Sequence, residues 1–122
     1  MDSQKTLDRV FNYDAGSIYD LYVQKVTRKG RTTDELDDVL GWLTGYSPEQ
    51  LHTLNGTTLK AMIDDAPAWN PARSEIKGVI CGVRVEDIED ATMQAIRYMD
   101  KVVDELAKGR ALDKIKRQLP VS

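Results

Sequence analysis

The chain contains a single cysteine among its 122 residues, and it has no long apolar run. One cysteine excludes an internal disulfide and is what a reducing compartment permits, so we expect a cytoplasmic protein. No apolar run approaches the roughly 20 residues that a membrane-spanning helix needs. The first residues, MDSQKTLDRVF, have neither the basic start nor the apolar stretch of a signal peptide.

Motifs that carry chemistry are missing as well. His52 is the only histidine, and neither it nor Cys81 has a second ligand at metal-binding spacing, so no zinc site is expected. Gly78 and Gly82 are not part of a GxGxxG or GxxxxGKS/T loop, the common phosphate-binding patterns. We expect no catalytic motif, no cofactor and no metal, which favours a non-enzymatic protein. His52 is expected to be a surface side chain and Cys81 a small buried hydrophobe.

Charge is plentiful but is not concentrated in one sign. The net charge is −3, from 17 basic and 20 acidic residues. Bases prevail over residues 21–32 and 101–122, and acids prevail over residues 33–66 and 85–100. Nucleic-acid binding relies on clustered Lys and Arg that neutralise phosphates, so this chain is a poor candidate for it. Such blocks are typical of solvated helix faces.

What is present indicates one helical domain. The length matches a single domain, and the 41% apolar share is that of a globular protein. Helix-start and helix-stop signals recur along the sequence. We therefore predict an all-α fold over residues 1–122, a single compact domain of five to six short helices. Residues 1–8 and 118–122 are expected to be flexible.

Capping signals define most of these helices. The predicted N-caps are Ser17, Thr32, Ser47, Thr58, Asn70 and Asp90, and two of them, Thr32 with Glu35 and Ser47 with Gln50, form capping boxes. The helix after Ser17 is predicted to run to Gly30, with an apolar face formed by Ile18, Leu21, Tyr22 and Val26. The helix after Asp90 is predicted to end at Gly109, and a last one to run from Leu112 to Leu119.

The segment after Asn70–Pro71 is ambiguous. Its apolar residues from Ile76 to Val83 recur at helical spacing behind a good cap. The run at 79–83 is also typical of a short buried strand, and each glycine inside a helix costs about 1 kcal/mol relative to alanine. We predict the helix, with Gly78 and Gly82 on a face that lets another backbone approach. A strand at 79–83 would make the fold α+β.

A binding surface is predicted on this segment and on the helix that follows. If the two helices pack antiparallel, Arg84 and Arg97 approach carboxylates near their junction, and form either a salt-bridge network or the wall of an anion-binding cleft. Trp69 lies in the most loop-like part of the chain, as an interaction anchor or as a lid on the core. The candidate binding residues are Trp69, Asn70, Arg73, Lys77, Arg84, Glu86, Arg97 and Tyr98.

Four strings in the sequence resemble a known bacterial family. They are GRTTDELDDVLGWLTGY, NPARSEIKG, ICGVRVEDIED and IRYMDKVVDELAKG. From about Arg9 to Arg117 the chain resembles the family catalogued as domain of unknown function 2200. The resemblance implies a small bacterial cytoplasmic protein, and brings no reaction, cofactor or catalytic residue with it. Ala91 stands where the family pattern has proline.

Two functional hypotheses follow. Amphipathic helices without a nucleophile–base pair or a metal set favour a non-enzymatic binding or interaction domain, which associates with itself or with a protein partner. The alternative is a small-molecule binder, or an enzyme, that takes an anionic ligand in a cleft. That cleft would be formed around Arg73, Arg84, Arg97 and Tyr98.

Overall fold

The structure, a computed structural model, describes residues 2–120, with side chains from residue 7 onward. This part of the chain forms the helices α1 (Asp2–Phe11), α2 (Ala15–Arg28), α3 (Thr33–Thr44), α4 (Pro48–Leu51), α5 (Leu59–Asp64), α6 (Ala91–Ala107) and α7 (Leu112–Ile115). Between α5 and α6 lie a 3₁₀ helix (Pro71–Glu75), the strands β1 (Val79–Ile80) and β2 (Val83–Arg84), and a second 3₁₀ helix (Val85–Asp87). The prediction of a mainly helical single domain is confirmed.

The ends of the chain were expected to be flexible over residues 1–8 and 118–122. The structure places residues 2–8 in α1. Residues 1, 121 and 122 lie outside the described residues, so flexibility of the ends stays a prediction. None of the helices in the described part of the chain combines the length and the apolar character that crossing a bilayer requires.

The long helix α6 is the centre of the fold. Its apolar residues recur at helical spacing, and Ile96, Met99, Val103 and Leu106 are all buried. The helices α2, α3 and α5 pack around this face, and the hairpin and α7 lie against it too. Burying one large aliphatic side chain stabilises a fold by about 1.5–3 kcal/mol, so α6 supplies much of the core energy.

The capping predictions for α3 to α6 are confirmed. Thr32 and Ser47 each complete a capping box with the residue three positions later. The hydroxyl of Thr58 accepts a hydrogen bond from the backbone N–H of Ala61, at 3.1 Å. Asp90 accepts one from the backbone N–H of Met93 at 2.8 Å, so α6 is capped without the proline at position 91. Short-range signals therefore fix where these helices begin.

The prediction for α2 is wrong at its start and on one face. Asp14, not Ser17, is the N-cap, and it accepts a hydrogen bond from the Ser17 backbone N–H at 2.9 Å. The buried face runs through Tyr19, Tyr22 and Val26. Leu21, expected to lie on the apolar face, is 56% exposed because Tyr19 occupies the inward position instead.

The helix predicted after Asn70 is also wrong. Only one 3₁₀ turn forms there, and the chain then pairs β1 with β2 in an antiparallel hairpin. Cys81 and Gly82 form the turn with φ angles of +53° and +82°, the left-handed pair that a two-residue hairpin requires. Glycines and β-branched residues disfavour a helix, and together they favour this hairpin over it. Cys81 is consequently exposed at the tip, not buried.

The last helix is shorter than predicted. It ends at Ile115, which is fully buried, and Leu119 is 49% exposed. Beyond α7, the Arg117 guanidinium donates two hydrogen bonds to the buried Glu105 carboxylate, at 2.6 and 2.7 Å. Arg110 approaches the same carboxylate at 3.0 Å. These ion pairs hold the C-terminal segment against α6, where the sequence predicted that the last helix would continue.

Candidate functional site

The predicted binding residues meet in part at one pocket of about 290 Å³ beside the start of α6. Its walls come from the end of α5, the loop that follows, the first 3₁₀ helix and the first turns of α6. Trp69, Arg73 and Tyr98 all line it, and we call it the Trp69 pocket. The other lining residues are Ile63, Asp64, Ala91, Thr92, Gln94 and Ala95.

The loop that carries Trp69 is fixed to the end of α3. The backbone N–H of Ala68 donates to the carbonyl oxygen of Thr44 at 2.9 Å. The contact requires a glycine at position 45, since a Cβ on Gly45 would lie 2.7 Å from the Ala68 nitrogen. The Trp69 indole N–H donates to the carbonyl oxygen of Ile63 at 3.0 Å. The ring is therefore a fixed lid at the edge of the core.

Arg73 is held over that ring by the first 3₁₀ helix. Asn70 begins the helix, and its side-chain oxygen accepts a hydrogen bond from the Ala72 backbone N–H at 2.9 Å. The Arg73 guanidinium lies 6.0 Å from the centroid of the Trp69 ring, and donates to the Asn70 carbonyl oxygen at 2.9 Å. No carboxylate in the described part of the chain pairs with it. Most of its N–H donors are therefore left for a ligand.

Tyr98 lines the same pocket. The residue is 7% exposed, and within residues 7–120 its hydroxyl makes no hydrogen bond. Burial raises the pKa of Tyr98, with Arg73 acting in the opposite direction and Glu86 in the same direction. The hydroxyl stays protonated at neutral pH and can donate a hydrogen bond to a ligand.

The first turn of α6 completes the pocket. The backbone N–H groups of Ala91 and Thr92 have no partner within the helix, because the first turn of any helix leaves its donors unpaired. The helix dipole favours negative charge at this end. Two carboxylates lie nearby, but Asp90 caps the helix and Asp64 is paired with Lys60 at 2.6 Å. The unpaired charge at the pocket is the cation of Arg73.

The structure separates Arg97 from this group. Its guanidinium pairs with Asp100 at 2.9 Å, and Asp100 also accepts a hydrogen bond from the Tyr22 hydroxyl at 2.6 Å. Arg97 and Tyr98 are consecutive, so they point about 100° apart around α6. Arg97 lines a different cavity, between α6 and the side of α2.

The remaining predicted residues belong to the hairpin. Glu86 accepts a hydrogen bond from the backbone N–H of Gly78 at 2.9 Å, which closes the base of the hairpin. That hydrogen bond lowers the pKa of Glu86, with smaller contributions from Arg84 and Lys77. Arg84 lies 3.8 Å from Glu86 and is 63% exposed. These residues do not line the Trp69 pocket.

Sequence reasoning missed a second cluster, formed by Tyr19, Asp37 and His52. The buried Asp37 carboxylate accepts a hydrogen bond from the Tyr19 hydroxyl through one oxygen. Its other oxygen lies 2.8 Å from His52 Nε2. The three residues are far apart in the sequence, and the one available signal was that Asp37 shares a helix face with the buried Leu40.

Comparison with known proteins gives the chain a family. A family model described as "Uncharacterized protein conserved in bacteria (DUF2200)" matches residues 9–117. The chain belongs to this family. The crystal structure of the uncharacterized protein SP1917 is 37% identical, with a TM-score of 0.82, and the match covers 88% of this chain and 89% of that one. No curated protein matches. The resemblance predicted from the sequence is confirmed.

The Trp69 pocket of this DUF2200 protein offers groups that can bind a ligand. Within the described residues, no group of three or more His, Cys, Asp or Glu side chains is placed to hold a metal ion. The pocket combines a guanidinium, a tyrosine side chain and the positive end of a helix with apolar walls. Such a set recognises a negatively charged group and shields the rest of the ligand from water.

Proposed function

We propose that this DUF2200 protein binds a small organic anion in the Trp69 pocket. The observation that carries the proposal is the placement of Arg73, which has no carboxylate partner among the described residues. It lines a cavity that Tyr98 also lines, and the Tyr98 hydroxyl can donate a hydrogen bond there. An arginine that is paired with a carboxylate has fewer N–H donors left for a ligand. Arg73 has no such partner among the described residues, so its charge and most of its donors remain available.

The volume and the lining of the pocket indicate which class of ligand it can bind. Its volume of about 290 Å³ lies at the lower limit of ligand pockets, which suits a molecule of one ring or a short chain. Ile63, Ala95 and Trp69 provide apolar walls. A carboxylate on a flat apolar group would place its charge between Arg73 and the first turn of α6. Its apolar part would then lie along these walls.

Binding of benzoate tests the proposal. Benzoate carries a carboxylate on a flat ring, and it should raise the melting temperature of the folded protein and give a saturable isotherm by calorimetry. Arg73→Met should weaken binding tenfold or more, because a hydrogen bond to a charged group contributes about 1.5–3 kcal/mol. Tyr98→Phe should weaken it by a smaller factor. Circular dichroism would check that both variants fold.

Arg84→Met is the matched control. It removes an arginine that is 63% exposed and lies outside the pocket, so it changes the net charge as Arg73→Met does. We expect benzoate to bind this variant as it binds the wild type. If benzoate did not bind the wild type, or if both arginine variants lost binding equally, the pocket would not be the site.

A second candidate function is self-association through one face of α2. Leu21 is 56% exposed and Tyr13 is 43% exposed, and both line an apolar surface groove with Ile18. We call these residues the α2 face. Exposed large apolar side chains that adjoin each other are typical of interaction sites. This observation favours the interaction domain that the amphipathic helices predict, with a second copy of the chain as the partner.

A further inference from the structure

We infer that His52 is a general base, positioned by Asp37, that acts on a small uncharged ester in the cavity beside Tyr19. That cavity has a volume of about 280 Å³ and lies between α2 and the turn after α4. It shares no lining residue with the Trp69 pocket. The inference does not depend on anion binding there, and the two are tested separately.

The hydrogen bonds around Asp37 fix the tautomer of His52. Tyr19 donates its hydroxyl hydrogen to one carboxylate oxygen, and the second oxygen lies 2.8 Å from His52 Nε2. An ionised carboxylate only accepts, so Nε2 carries the hydrogen in this contact. In the neutral ring, Nδ1 is then left with its lone pair, which is the atom that accepts a proton.

In the cluster of Tyr19, Asp37 and His52, hydrogen bonds from the other two residues hold the Asp37 carboxylate in place. Asp37 is 5% exposed, and its two donors come from α2 and from the residue that ends α4. Burial, and then the hydrogen bond to Asp37, raise the pKa of Tyr19 well above its ordinary value, so Tyr19 remains a donor. The Tyr19 and His52 rings also lie 5.6 Å apart in a tilted arrangement. Asp37 and Tyr19 are thus positioning residues.

His52 is accessible where Asp37 is not. Its side chain is 49% exposed and lines the cavity, and within the described residues Nδ1 makes no hydrogen bond. Because the ring is half exposed, Nδ1 can contact water or a small molecule in the cavity. Here one nitrogen is engaged by a buried carboxylate and the other is left open. This is the arrangement of a base held by an orienting partner.

The cavity lining favours an uncharged substrate. Leu51 and Leu54 contribute apolar surface, and Asn55 and Thr33 contribute side chains that can donate hydrogen bonds to a carbonyl oxygen. Asp20 also lines the cavity, and together with the buried Asp37 it makes the region repel an anion. A small neutral ester therefore fits better here than a carboxylate or phosphate.

The reaction that this arrangement supports is hydrolysis by water. In the proposed reaction, water is the nucleophile and His52 is the base that takes its proton. As the water oxygen bonds to the acyl carbon, its proton passes to Nδ1. The bond from the acyl carbon to the leaving oxygen then breaks, and that oxygen takes the proton back from Nδ1. His52 is restored, and an acid and an alcohol leave.

Because His52 is the only histidine, its ring nitrogens are observed without ambiguity. At a pH where the ring is uncharged, a long-range proton–nitrogen NMR spectrum of the wild type should show hydrogen on Nε2 and none on Nδ1. The opposite tautomer would overturn the inference, because Nδ1 would then be a donor. This measurement needs no variant, so it decides the point even if Asp37→Asn fails to fold.

Hydrolysis of 4-nitrophenyl acetate tests the activity. The wild type should exceed free imidazole at equal concentration by tenfold or more. His52→Gln should abolish the excess, and Asp37→Asn and Tyr19→Phe should reduce it with the fold retained by circular dichroism. The matched control, His52→Gln with Thr53→His, moves the only imidazole to an exposed neighbouring position. It should show no excess.

The alternative chemistries give different results. A slower rate in heavy water, with no acetyl group on the protein by mass spectrometry, supports proton transfer by His52. An acetylated His52 would mean that the ring attacks the ester directly, and would overturn the general-base role. A wild-type rate equal to that of the Thr53→His control would also overturn the inference, because Asp37 would then contribute nothing.

Discussion

At the scale of single residues, Asp14 joins two parts of the chain that are distant in sequence. Its carboxylate accepts hydrogen bonds from the backbone N–H groups of Gly56, at 2.7 Å, and Ser17, at 2.9 Å. These bonds, the Gly56 bond first, lower the pKa of Asp14. The sequence placed the start of α2 at Ser17, because the stronger cap depends on a tertiary contact that local patterns do not reveal.

The lowered pKa of Asp14 predicts how stability depends on pH. A carboxylate with a lower pKa in the folded state stabilises the fold above the pKa of the unfolded chain, near 3.9 for aspartate. That contribution is lost as the pH falls through the folded pKa. Asp14→Ala should therefore lower the melting temperature at pH 7, and the difference from the wild type should shrink as the pH drops below about 4.

Thermal unfolding monitored by circular dichroism between pH 7 and pH 2.5 measures the effect. Glu89→Ala is the control, because it removes an exposed carboxylate next to a different helix start. We expect its melting temperature to follow that of the wild type at each pH. A difference between Asp14→Ala and wild type that stayed constant down to the lowest pH would contradict the assigned hydrogen bonds.

At the scale of elements, the sequence predicts structure where one signal acts over three or four residues. Thr32, Ser47, Thr58 and Asp90 each cap the helix that they were expected to start. The segment after Asn70 carried a cap and a helical period together with turn-forming glycines, and tertiary packing favoured the hairpin. Local patterns cannot decide between the helix signals and the turn-forming glycines, because the stability of the strand pair also includes its contact with α6.

The sequence predicted the candidate site in part. Trp69, Arg73 and Tyr98 share a pocket because a loop and one 3₁₀ turn bring them to the start of α6. Arg97 was expected in the same cleft, but consecutive helical residues point in different directions. The cluster around Asp37 could not be predicted, since its partners come from two other helical segments and the sequence gives no distance between them.

The hairpin turn allows a prediction at this scale. Cys81 has a φ of +53°, and a left-handed conformation costs a residue with a Cβ about 1 kcal/mol. Asn–Gly is the favoured pair for such a turn, so Cys81→Asn should raise the unfolding free energy by up to about 1 kcal/mol in urea titrations. Cys81→Ala keeps the strain and removes the thiol, and should bring no gain. Equal stability of the two variants would contradict the turn argument.

At the scale of the whole molecule, the α2 face sets how two copies would meet. Leu21 lies at the middle of α2, which runs from Ala15 to Arg28. The N-cap Asp14 and the one acidic residue of the helix, Asp20, precede Leu21, and its two basic residues, Lys25 and Arg28, follow it. A two-fold axis near Leu21 would therefore align opposite charges while it buries both leucines.

This arrangement predicts a weak dimer that is lost when Leu21 becomes charged. Sedimentation at increasing concentration should show the wild type passing from monomer to dimer, as expected for an interface of small area. Leu21→Glu should remain monomeric at every concentration with an unchanged melting temperature, because the side chain is exposed in the monomer. Leu119→Glu is the matched control, since Leu119 is 49% exposed and belongs to the C-terminal segment. That variant should dimerise as the wild type does. A wild type that stays monomeric, or a loss of dimer in both variants alike, would mean that the α2 face does not pair with itself.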